Sequence, residues 1–245
     1  MHVLIRVHMH ISFISASIFL LVLIAVLVAC VKTGKLTFSA SLAAGVTGSC
    51  VFAGAGYTGI ALLGAFFVLG VLSTSHGKER KASISAEEHH EQQRKPGQVF
   101  ANGGVAAIMA LLALIFPVYA DTFILMLAAS LASAAADTMS SELGTIYGRN
   151  FYNVLSFKKD TRGLDGVVSL EGTLIGAGGA LIIAIVFALG QGFDLRILTI
   201  VIAGVLGNLM DSLLGASLER KHYISNDLVN FLNTLFAAFI AWICR

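Results

Sequence analysis

A chain of 245 residues with 57% hydrophobic residues, only 12% charged ones and a formal net charge of +2 is too apolar for a soluble domain, in which about a quarter of the residues are charged. Its mean hydropathy of +0.86 and its two prolines point to an integral membrane protein made of helices. The three cysteines, Cys30, Cys50 and Cys244, all lie in apolar runs, which excludes a disulfide framework or a zinc-type cluster.

Apolar runs near the roughly 20 residues that a membrane helix needs fall at about 11–31, 37–55, 57–74, 99–119, 121–141, 166–190, 194–217 and 227–244. The expected fold is therefore all-α: a single polytopic helix bundle of about eight spans, with seven as the lower count. The first run ends in Leu27-Val28-Ala29-Cys30, a lipoprotein-like cleavage box, but it is longer than the roughly 7–15 residues of a signal core and reads as a span. Runs two and three are separated only by residues 54–56, and runs four and five by 117–121, so both pairs are expected to form tight hairpins. Twenty-five glycines imply close helix packing. Two polar connectors, 75–98 and 142–165, interrupt the runs. The His89-His90 pair in the first reads as solvated loop, since no second ligand pair has metal-binding spacing.

Basic residues give the orientation. The connectors after spans one, three, five and seven hold thirteen of the sixteen lysines and arginines, leaving Arg6, Arg196 and Arg245 for the other side. The positive-inside rule makes the first face cytoplasmic and places both termini outside. The setting expected from this is a bacterial inner membrane, with no nucleic-acid partner and the oligomeric state left open.

The polar residues inside the spans gather at that same face. Span five ends in Asp137, followed by Ser141, Gly144 and Gly148 at the i+4, i+7 and i+11 positions of one helix side, with Glu142 beside them. A carboxylate at that depth calls for a partner or a function. Lys158, Lys159 and Arg162 follow, and an acid, bare glycines and a pair of lysines together suggest a metal and a phosphate ligand. Span seven echoes the pattern with Asn208, Asp211, Ser212 and Gly215. Spans four, six and eight begin with Asn102, Glu171 and Asn233 at the same step, and Asn226, Asp227 and Asn230 open the last. Helix N-termini favour anions nearby. The opposite face has no such cluster, whereas alternating access needs polar groups near the midplane. No P-loop, HExxH or GxSxG occurs.

The segment Asp137-x2-Ser140-x3-Gly144-x3-Gly148, then Lys158-Lys159 and Thr161, resembles the CTP-binding motif of dolichol and phytol kinases, with a serine for an alanine at 140 and a longer spacer. More broadly, the chain is similar to the transmembrane protein 19 and phytyl-phosphate kinase family of integral membrane proteins. The matching segments are Gln98 to Gly104, Asp137 to Gly144, Asp165 to Thr173, Gly207 to Ala216 and Ser225 to Asn230, with Val167 where the family usually shows glycine. The resemblance implies phosphoryl transfer from CTP to an isoprenyl monophosphate.

On that reading Asp137 and Asp211 hold Mg²⁺ and Glu142 is an outer acid. Gly144 and Gly148 admit the nucleotide phosphates, and Lys158, Lys159 and Arg162 balance their charge. Ser141, Glu171, Asn208 and Ser212 belong to the same binding surface. Asn102, Asn226, Asp227 and Asn230 orient either the acceptor phosphate or the cytidine. Two other readings stay open: a cytidylyltransferase-like enzyme acting on a lipid phosphate, and a transporter or flippase.

Overall fold

The computed structural model describes residues 13–82 and 93–245; Arg6 and the His89-His90 pair lie outside the described residues. Helices α1 (Phe13–Lys32), α2 (Phe38–Ser75), α3 (Lys78–Ala82), α4 (Pro96–Ile115), α5 (Ala120–Tyr147), α6 (Leu170–Gln191), α7 (Arg196–Leu214) and α8 (Asn226–Ile243) form the bundle. A two-stranded antiparallel ribbon, β1 (Tyr152–Asn153) with β2 (Val167–Val168), ties the ends of the α5–α6 connector together, pairing Tyr152 with Val168. Helix α5 runs on to Tyr147, so Glu142 and Gly144, which the sequence reading assigned to a loop from 142, are helical.

Seven helical stretches among the described residues are long and apolar enough to cross a membrane. One of them, Phe38–Ser75, has 38 residues and would reach about 57 Å if straight, nearly twice the ~30 Å hydrocarbon core. It is not straight. Lys35 Nζ, just before its start, donates to Ser75 Oγ at its end over 3.0 Å, so the two ends meet and the helix folds back on itself. The reversal is at Gly56, with φ 58° and ψ −148°, a region essentially reserved for glycine. The hairpin expected at 54–56 is thus present, and the seven stretches make eight passes. Pro117–Tyr119 forms the short 3₁₀ turn of the second expected hairpin, between α4 and α5.

Helix α5 is the axis of the bundle. From Leu127 to Ala136 every residue is buried, and a helix apolar all round belongs at the centre of its bundle. Its neighbours come close because the facing residues are small: Gly204 lies against Ala132, Gly207 against Ser133 and Gly179 against the Ala135 carbonyl. Without a hydrophobic driving force between helices in lipid, such close packing is what holds spans together. Helix α1 is the opposite case, with most of its length exposed and its inner side resting on α2 through Leu27, Cys30 and Ala44.

A Cβ at Gly54 would overlap the carbonyl of Ala110 on α4, whereas one at Gly64 meets nothing. Gly54→Ala is expected to destabilise the protein by about 1–3 kcal/mol, the usual cost of forced overpacking. Gly64→Ala should melt at or above the wild-type temperature. Thermal unfolding in detergent, followed by size-exclusion fluorescence, checks both.

Candidate active site

The basic ends of α4, α5, α7 and α8, the first turn of α6 and the α5–α6 connector enclose a polar cavity of about 360 Å³. Asp137 enters it from α5 and Asp211 from α7, and their carboxyl groups lie within hydrogen-bonding reach of each other. The echo between these two helices is physical. Ser141 Oγ donates to the Asp137 carbonyl over 2.9 Å, and Ser212 Oγ to the Asn208 carbonyl over 3.2 Å. Gly144 then clears space for the first turn of α6 and Gly215 for the returning connector: a Cβ on Gly144 would stand 2.7 Å from Gly172 Cα, and one on Gly215 3.0 Å from the Gly166 nitrogen. Beyond Gly215 the helix loosens into a π turn, Gly215–Glu219, a form that recurs at functional sites.

Asn233 holds Asp211 in place. It is fully buried, donates from Nδ2 to Asp211 Oδ2 over 2.5 Å and accepts from Ser133 Oγ at its Oδ1 over 3.0 Å. One turn nearer the basic face, Asn230 donates to Asn226 Oδ1 over 3.0 Å, while its own buried Oδ1 has no partner among the described residues. A buried acceptor left unmatched costs about 1–3 kcal/mol, and this one lines the cavity. Glu142 is already neutralised: Lys81, only 4% exposed, donates to its Oε2 over 2.5 Å and to the Ser73 and Thr74 carbonyls.

The connector forms the outer wall, with residues from Gly163 to Ser169 and the ring of Phe151 lining the cavity. Gly166, at φ +72°, lets the chain lie directly on Ala216 of the π turn. Arg220 then clasps Asp160 across 2.6 Å. The Arg220 guanidinium, helped by the Thr161 N–H, holds the Asp160 carboxyl down at about 2.

Of the residues singled out from sequence, Asn102, Asp137, Ser141, Glu142, Gly144, Asn208, Asp211, Ser212, Asn226 and Asn230 meet in this cavity. Others do not line it. Lys158 and Lys159 are exposed on the connector, and Arg162 lies over the ring of Phe151, 5.6 Å from its centroid. Glu171 accepts from the Arg149 N–H over 3.4 Å, and Asp227 packs where a side chain at Gly97 would stand. Gly148 fits beneath Phe151 and Ser169. Gly148 thus serves connector packing, while Gly144 both packs on α6 and lines the cavity; the sequence reading gave both to phosphates. Among the described residues the cation that does reach the cavity is Arg94, which sequence reasoning counted only for topology. Its position two residues before the Pro96 that opens α4 was the available signal.

Among the described residues no group of three or more histidine, cysteine or acidic side chains forms a cage for a metal. Two adjoining carboxylates and the free Asn230 oxygen suit a cation that keeps water and substrate phosphates as its remaining ligands, the habit of Mg²⁺.

A family model described as integral membrane protein DUF92 matches residues 21–238. The chain belongs to that family. It is 31% identical over 214 residues to the chloroplastic protein VTE6 of Arabidopsis thaliana, a match covering 84% of this chain and 64% of VTE6. An uncharacterized membrane protein of Methanocaldococcus jannaschii is 35% identical over 185 residues, covering 76% of this chain and 75% of that one. One of Synechocystis is 32% identical over 205 residues, covering 80% and 77%. No solved structure matches the chain. The DUF92 match takes in every residue of the cavity, from Thr74 to Asn230.

Asn233→Leu removes the donor to Asp211 and the acceptor for Ser133, and is expected to cost about 1–3 kcal/mol, read as a lower melting temperature in detergent. The Asp160 clasp makes a pH prediction. A carboxyl lowered from 3.8 to about 2 stabilises the fold fully above its unfolded value and loses that contribution as pH falls through the folded one. The melting difference between wild type and Asp160→Asn should therefore be constant from neutral pH down to about 5 and close between about 4 and 2.

Proposed function

We propose that the chain is a phosphotransferase that moves the γ-phosphoryl group of CTP onto an isoprenyl monophosphate at the cytoplasmic face of its membrane. The observation that carries this reading is the convergence of Asp137 and Asp211, from two helices running in the same direction, on one polar cavity edged by an arginine. The nucleotide and the lipid class rest on the sequence resemblance, and the cytoplasmic orientation on the basic connectors.

Phosphoryl transfer needs little covalent help from a protein; it needs positioning and neutralisation of charge spread over the transferring group. Mg²⁺ held by Asp137 and Asp211 would supply part of that neutralisation when bound. Asn233 fixes the Asp211 carboxylate, Asn208 presents its amide to phosphate oxygens, the free Oδ1 of Asn230 faces the hydrated cation, and Arg94 meets the acceptor phosphate. The connector from 163 to 169 keeps water from the reacting oxygens. In the transfer an oxygen of the lipid phosphate bonds to the γ-phosphorus while the bond from that phosphorus to the β–γ bridging oxygen breaks, and the electron pair leaves with CDP. No general base is required, because a phosphate monoester with a second pKa near ~6 is already ionised at neutral pH. Lys158 and Lys159, exposed on the same face, draw the nucleotide in from solution through their charge. That both carboxyls sit at the basic face, where the spanning helices end, speaks against a transporter, whose substrate and ion sites lie near the bilayer midplane.

The test is turnover by purified protein with Mg²⁺, CTP and phytyl, farnesyl or geranylgeranyl monophosphate, with products read by mass spectrometry. CDP and the lipid diphosphate are expected. Asp137→Asn and Asp211→Asn, verified as folded, should each lower kcat by about 10²–10³-fold, the scale of losing a charge-stabilising group at a reacting centre. Pyrophosphate with a CDP-lipid would replace the kinase by a cytidylyltransferase, and no turnover across the panel would overturn the reading.

A further inference from the structure

A second cavity, about 250 Å³ and almost wholly apolar, lies between α1, both arms of the α2 hairpin and α4. At the basic face it adjoins the polar cavity: Arg94, Gln98 and Asn102 line both. On α1 the cleft runs from Phe19 to Cys30, eleven residues or about 16 Å of helix, roughly half the ~30 Å hydrocarbon thickness. Its inner end is closed by Phe19 stacked on Phe52, with ring centroids 3.9 Å apart. Its outer wall is α1, the least buried of the spanning helices, so the cleft is reached sideways from the bilayer.

Arg94 is built into the junction. Its backbone bonds the α1–α2 link on both sides, donating to the Lys35 carbonyl over 3.1 Å and accepting from the Thr37 N–H over 3.2 Å. Its guanidinium passes Gly70, where any side chain would collide with it, and rests over the ring of Phe66 at 5.7 Å. Phe66 belongs to the apolar cleft. A guanidinium at the meeting point of an apolar slot and a polar chamber matches a molecule with one hydrocarbon chain and one phosphate, since arginine recognises phosphate through paired, charge-assisted hydrogen bonds.

Resting on the phosphotransferase reading, we propose that the cleft between α1, the α2 hairpin and α4 binds the hydrocarbon chain of a single-chain lipid monophosphate, with Arg94 gripping the phosphate where the cleft enters the polar cavity. The chain enters past α1 and runs inward from the basic face to the Phe19–Phe52 pair. The phosphate is thereby directed toward Asp137 and Asp211.

The probe is geranylgeranyl monophosphate carrying a diazirine at its tail end, bound to the purified full chain in nanodiscs, illuminated, and mapped by peptide mass spectrometry. Labelling should concentrate in α1 and α2. Gly64 lines the cleft and a Cβ there meets nothing, so Gly64→Leu places its side chain in the slot and should cut that labelling roughly tenfold. Gly178→Leu, also facing open space but on α6 away from the cleft, should leave it unchanged. Arg94→Gln should lower labelling by the phosphate probe roughly tenfold and leave labelling by the corresponding alcohol unaffected.

Turnover plays no part in this readout, so an inactive preparation that still labels α1 and α2 separates the two proposals. Labelling centred on α6, α7 or α8, or undiminished in Gly64→Leu, would overturn the assignment. Competition by phosphatidic acid as strong as by unlabelled geranylgeranyl monophosphate would overturn it too, giving the cleft to a two-chain lipid.

Discussion

Asp137 and Asp211 bring two carboxyl groups together at the level where spanning helices leave the hydrocarbon, and an acid there is costly unless protein compensates it. Much of the basic half of the molecule can be understood as that compensation. Asn233, fully buried, bonds Asp211 and is itself held by Ser133 of α5. The connector after α5 folds back over the pair, and the Asp160–Arg220 ion pair pins it to the end of α7. Glu142, one turn from Asp137, is matched by a lysine that is almost completely buried. Such an arrangement leaves an unmatched acceptor at Asn230 facing the cavity, as expected of a site whose remaining partner is a ligand.

Small residues make this convergence possible. The run of alanines and serines along α5 lets α6, α7 and α8 approach until glycine meets backbone, and the approach carries Asp211 and Asn233 to Asp137. The same economy at Gly148, Gly166 and Gly215 lets the connector lie flat against two helix ends. Larger side chains at these positions would hold the helices and connector apart, and a polar cavity shared between α5 and α7 would open to solvent.

The two cavities divide the bundle. The helices packed around α5 build the polar chamber, while the α2 hairpin and the lightly held α1 build an apolar slot beside it. Arg94 joins them, and it does so from a link between spans, held by backbone bonds to the α1–α2 connection rather than by a helix. Its guanidinium stays below its ordinary basicity through burial, against the pull of Glu142.

Sequence by itself determined the spans, the hairpins at Gly56 and Pro117, the basic face and the end of the chain's spans at which polar residues gather. These follow from hydropathy, helix length and the spacing of Asp137, Asn208 and Asp211 along their helices, all of which are local. Only the tertiary structure decided which of these side chains share a cavity. Lys158 and Lys159 looked like phosphate ligands because they follow Asp137 in the chain, yet the connector turns them outward. Arg94 and Lys81 looked like topology charges, yet both turn inward to reach partners more than 30 residues away in sequence. Spacing along one chain records which face of a helix a residue occupies; whether that face meets substrate, lipid or another helix depends on packing between elements distant in sequence.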